Sequence, residues 1–134
     1  MAITKVTGAM LGNYVGGSAD DTVVVGDGAG DAITTGVDNT LIGDNAGTAL
    51  TEGSDNVAIG NEALAANTTG TKNTTVGKSA GAAITTGEKN VLIGYNSGKL
   101  TTIGIKNVAV GSYSLDANTE GENNVAIGQS ALGA

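Results

Sequence analysis

Gly53-Ser54-Asp55-Asn56-Val57-Ala58-Ile59-Gly60-Asn61-Glu62-Ala63-Leu64-Ala65-Ala66-Asn67-Thr68-Thr69 is one unit of a tandem series. Shifting the chain by 17 residues brings glycine onto glycine at Gly26, Gly43, Gly60, Gly77, Gly94, Gly111 and Gly128. A second glycine column runs in step, at Gly36, Gly53, Gly70, Gly87, Gly104 and Gly121, and asparagine follows it three residues later at Asn39, Asn56, Asn73, Asn90, Asn107 and Asn124. No insertion or deletion interrupts these columns, so every turn of the chain returns to the same place. A fixed period of this length marks a stacked repeat architecture.

Within the unit, Asn56-Val57-Ala58-Ile59 is short, rich in β-branched residues and bracketed by glycines, which predicts a strand. So short a strand has to pair with its copies. Stacked coils put equivalent strands about 4.8 Å apart in parallel register, and the expected fold is all-β: a parallel β-solenoid, or β-roll, of seven 17-residue coils over residues 22–134. Zero Pro suits continuous ladders. The asparagines at one corner are expected to pass amide hydrogen bonds along the axis as a structural ladder. By size and apolarity, the Val57 and Ile59 columns are expected to face the core. The column between them, which includes Leu41, Ala58, Leu92, Ala109 and Ala126, is expected to face outward. It is too apolar for a solvated face, which makes it a candidate chain-to-chain surface. A further core site is expected to be filled from either of two positions, because Leu64 and Leu115 are followed three residues later by Asn67 and Asn118, whereas Gly47 and Gly81 are followed by Leu50 and Ile84.

Composition narrows the chemistry. The 134 residues include no Cys, His, Pro, Trp, Phe or Arg, 23 are Gly, and three Tyr supply all the aromatic mass. Without imidazole or thiolate, most acid–base, nucleophilic and soft-metal mechanisms have no residues to run on, so no enzyme activity and no cofactor are expected. Thirteen acidic residues against six Lys give a net charge of −7, which repels a phosphate backbone and argues against nucleic acid as partner. The longest apolar run near the start is Ala9-Met10-Leu11, too short for a signal-peptide core, and no run suits membrane insertion.

Asn56-Val57-Ala58-Ile59-Gly60, Asn107-Val108-Ala109-Val110-Gly111 and Asn124-Val125-Ala126-Ile127-Gly128, each followed by a small residue and often by Leu, resemble the NVAIG-type repeats of trimeric autotransporter adhesin heads. Related repeats occur in bacteriophage tail and head fibres. The resemblance spans residues 22–132 and implies a left-handed parallel β-roll assembled as a homotrimer. The outer column of Leu41, Ala58, Leu92, Ala109 and Ala126 would then be the trimer interface. Residues 1–21 fall outside the repeat, and Gly16-Gly17-Ser18 reads as a hinge. Their opening weakly resembles the starts of phage fibre proteins, whose N-terminal segments dock on the virion. Met10, Leu11, Tyr14 and Val15 are the expected anchoring residues. The resulting expectation is a structural virion fibre protein, made in the host cytoplasm. Its leader binds a virion or fibre-hub protein, and its trimeric shaft projects toward the host and possible surface receptors. The alternatives are a fragment of an adhesin head at a bacterial cell surface and an ice-binding solenoid.

Several local patterns invite sharper readings. Asp27-Gly28-Ala29-Gly30-Asp31 puts two carboxylates beside glycines, but it occurs once and lacks the nine-residue period of calcium-binding rolls, so it reads as a solvated turn. Gly77-Lys78-Ser79 lacks the Walker glycine five residues earlier, where Lys72 stands. The Thr34, Thr51, Thr68, Thr85, Thr102 and Thr119 column could order water against ice, yet Glu52 and Glu120 interrupt the neighbouring rank. Asp38, Asp55, Lys72, Lys89, Lys106 and Asn123 make an acidic band followed by a basic one along one edge. Tyr95 and Tyr113 sit on outward loops one unit apart, suited to a glycan or to a seam between chains. The chain ends at Ala134 part-way round a coil, which would leave an open ladder edge.

Overall fold

The computed structural model describes residues 21–133 and contains seven three-residue strands. These are β1 (Val23–Val25), β2 (Thr40–Ile42), β3 (Val57–Ile59), β4 (Thr74–Val76), β5 (Val91–Ile93), β6 (Val108–Val110) and β7 (Val125–Ile127). They form one parallel sheet in sequence order, and every strand pairs with the next at a shift of one repeat, as in Val57↔Thr74 and Ile59↔Val76. The all-β solenoid read from the period is therefore the architecture, a coil of about six turns.

The facing of the strands is the reverse of the expectation. Val24, Leu41, Ala58, Thr75, Leu92 and Ala109 are wholly buried, and Ala126 is 2% exposed. The flanking columns look out, with Val23, Ile42, Ile59 and Ile93 at 36–40% exposure. Leu41, Ala58, Leu92, Ala109 and Ala126 are thus core residues of their own chain and cannot form an inter-chain surface. The reason lies in strand length. A three-residue strand has one central side chain on one face and two terminal ones on the other, and the inside of a narrow coil has room for the single one.

Around that central residue the coil closes with small and reciprocal side chains. Ala29, Ala46, Ala63, Ala80, Ser97 and Ser114 are completely buried. Leu50, Ile84 and Leu64 are also wholly buried and Leu115 is 3% exposed, so one core site is indeed filled from two backbone positions. In the Leu92 coil, Thr101 occupies the site, while Leu100 and Ile103 stay 51% and 49% exposed.

The asparagine column is a continuous buried ladder. Nδ2 of Asn73 donates to Oδ1 of Asn56 at 3.2 Å and to the carbonyl of Gly87 at 2.9 Å. Its Oδ1 accepts the backbone N–H of Asn90 at 3.1 Å and Nδ2 of Asn90 at 3.1 Å. Both amide donors and both acceptor lone pairs are used, which is what a buried amide requires. The two glycine columns answer different needs. Gly60 has φ of +134°, a conformation that suits only glycine. Gly104 has no such torsion; a β-carbon there would lie 2.7 Å from the carbonyl oxygen of Gly121 in the next coil.

Candidate assembly surface

Because the strand centres point inward, the strand ends form the outer face of the sheet. One column is Val23, Thr40, Val57, Thr74, Val91, Val108 and Val125; the other is Val25, Ile42, Ile59, Val76, Ile93, Val110 and Ile127. All are β-branched and only Thr40 and Thr74 carry a polar atom. Six inter-strand steps of about 4.8 Å make this strip about 29 Å long. No charged residue lies within it. The nearest exposed charges flank it, on one side Asp21, Asp38, Asp55, Lys72, Lys89 and Lys106, and on the other Asp27, Asp44 and Lys78. The strip is continuous and partly to fully exposed, and an accessible apolar strip with a polar rim is the signature of a protein–protein contact surface. The residues expected to be core thus form the interface candidate, and those expected at the interface form the core.

The remaining outward features are structural in their bonding. Thr51 Oγ1 donates to the carbonyl of Thr68 at 3.0 Å, and Thr34 and Thr102 donate likewise to Thr51 and Thr119. These hydroxyl protons are committed to the ladder rather than offered to a water layer. The Tyr95 and Tyr113 rings meet edge-to-face with centroids 5.2 Å apart at 84°. Each phenol is the main influence on the other, with the pKa of Tyr95 lowered and that of Tyr113 raised. At the far end, a cleft of about 300 Å³ lies among Leu115, Ala117, Asn118, Asn124, Leu132 and Gly133, and Val125 and Ile127 are 64% and 70% exposed.

Among the described residues no group of three or more His, Cys, Asp or Glu is placed to hold a metal, and no helix is long and apolar enough to cross a membrane. The anchoring candidates Met10, Leu11, Tyr14 and Val15 lie outside the described residues. No protein-family model, curated protein or solved structure matches the chain.

Proposed function

We propose that this chain is a non-enzymatic shaft segment of a fibre, assembled as a parallel homotrimer through its Val/Ile strip. The strip carries this reading, since twelve aliphatic side chains in two straight columns are a costly surface to leave in water and an economical one to share among copies. The resemblance of Asn56–Gly60 and its repeats to adhesin-head and phage-fibre repeats supports a trimer, and the phage setting supports a leader that docks on a virion through Met10, Leu11, Tyr14 and Val15. A bacterial surface adhesin uses the same shaft in another setting.

Light scattering on the full chain tests the assembly. A particle of three 12.9 kDa chains is expected, and Ile59→Lys with Ile93→Lys should give a folded monomer by placing charges in the shared face. A monomeric wild type, or a trimer that survives both substitutions, overturns it. Deleting residues 1–19 should abolish incorporation into particles while leaving the assembly intact, and unchanged incorporation rejects the anchoring role.

A further inference from the structure

The corner that precedes Thr22 and then each buried asparagine carries Asp21, Asp38, Asp55, Lys72, Lys89 and Lys106 in successive coils, all exposed. From Asp38 onward the five have φ between 57° and 60°. That left-handed conformation favours Gly, Asn and Asp over Lys, and Asn123 shows that asparagine fits the column at φ 57°. Stacking also sets like charges at the ladder spacing of about 4.8 Å, acid on acid and then lysine on lysine. Local physics therefore opposes lysine at 72, 89 and 106 twice over. Within the chain they gain little: among the described residues the one ion pair is Lys89 with Glu88, at 3.6 Å and half-exposed.

The order of the charges provides a reason from outside the chain. Three acids followed by three lysines, evenly spaced, are complementary to their own reversal. We propose that this edge binds the same edge of a second copy running in the opposite direction, about a two-fold axis between the levels of Asp55 and Lys72. Asp55 then faces Lys72, Asp38 faces Lys89 and Asp21 faces Lys106, and each pair occurs twice. The short acids lie opposite the long lysines at every level, so the two corners stay a constant distance apart. Such an isologous contact is complete between the two chains that make it, and a trimer would present the edge three times. Two copies running in the same direction and in register would oppose like charges. This contact is therefore separate from the parallel assembly through the Val/Ile strip, and it joins two shafts side by side.

The six pairs are exposed and individually weak, so the contact is weak and sensitive to salt. Sedimentation of the full chain at about 0.5 mM in roughly 20 mM and roughly 500 mM salt reads it as a ratio of masses. The expected ratio is two for single chains and two or more for trimers, which present the edge three times. A failure of the trimer reading changes the high-salt mass, and a failure of the present one changes the ratio. Lys72→Asp/Lys89→Asp/Lys106→Asp should bring the ratio to one while the chain still melts cooperatively at the higher salt, where the repulsion among the aligned aspartates is screened and aspartate suits the left-handed corner better than lysine. Adding Asp21→Lys, Asp38→Lys and Asp55→Lys inverts the whole column and should restore the wild-type ratio. A wild-type ratio of one, a triple variant that still doubles, or a folded inverted column that fails to double overturns the proposal.

Discussion

A β-carbon on Gly98 would fall 2.7 Å from Cδ1 of Leu92, and that conflict states the rule by which each coil fills its core. Coils with a large central strand residue carry glycine six positions later, as in Leu41 with Gly47 and Leu92 with Gly98. Coils with Ala58, Ala109 or Ala126 at the strand centre carry Leu64, Leu115 or Leu132 instead. Leu64 and Leu115 accept φ of 55° to do so, a strain offset by burying a whole aliphatic side chain, whereas Leu132 takes the same turn and stays 62% exposed.

Ala58→Leu alone should overpack against Leu64 and cost about 1 to 3 kcal/mol. Leu64→Gly alone should open a cavity and cost about 2 to 5 kcal/mol. Together they rebuild the Leu92/Gly98 arrangement, so the double variant should be more stable than the sum of its parts by over 1 kcal/mol. Urea unfolding of the four proteins measures this coupling. Additive losses would show that the two positions do not share one space.

This reciprocity was also the signal in the sequence that could have decided the facing of the sheet. The period, the parallel register and the asparagine ladder were legible because each rests on identical residues recurring at one spacing, and the doubly filled core site because Leu64 with Asn67 exchanges with Gly47 and Leu50. The facing was not legible from apolarity, since Val57, Ala58 and Ile59 are all apolar and the larger two suggest themselves as core. The alternation of Ala with Leu at Ala58/Leu64 and Ala109/Leu115, against Leu41/Gly47 and Leu92/Gly98, is enough to place the middle column inside. The flanking columns show no such exchange with residues elsewhere in the coil.

Thr101 is wholly buried and its hydroxyl has no hydrogen-bond partner. Its coil otherwise matches the Leu41, Gly47 and Leu50 set, so Thr101→Leu should fill that space and remove an unpaired polar group. A stabilisation of about 1 to 3 kcal/mol is expected. Thermal unfolding checks it, and a lower melting temperature would mean that the fifth coil is narrower than the second.

Asn73→Ala leaves the N–H of Asn90 and the carbonyl of Gly87 without side-chain partners, and should cost about 3 kcal/mol or more. Asn124 lies partly exposed and bonds only the preceding coil among the described residues, so Asn124→Ala should cost clearly less. Asn73→Asp adds a sign test. Its carboxylate faces Oδ1 of Asn56 and the Gly87 carbonyl in a buried site, so its pKa rises on folding. A raised folded pKa means that the penalty is full at neutral pH and is relieved as the pH falls through that pKa. Asn73→Asp should therefore gain stability relative to wild type on going from about pH 7 to about pH 4. A gap between the two proteins that stays constant with pH would show that the ladder corner admits water.

Deletions separate register from core filling. Removing residues 70–86 takes out 17 positions and with them the complete set Thr75, Gly81 and Ile84, leaving Ala58/Leu64 and Leu92/Gly98 whole. Removing residues 78–94 also takes out 17 positions and preserves every glycine and asparagine column, but it joins Thr75 to Gly98 and Thr101 in one coil. That coil has lost both Ile84 and Leu92 and has no large aliphatic at the site, so a cavity opens although every ladder bond can still form. An eight-residue deletion breaks the register itself and misplaces every later column. The expected order of melting temperatures is 70–86 above 78–94, with the eight-residue deletion failing to give a cooperative transition. Equal stability of the two 17-residue deletions would mean that ladder hydrogen bonds, and not the matched core sets, hold neighbouring coils together.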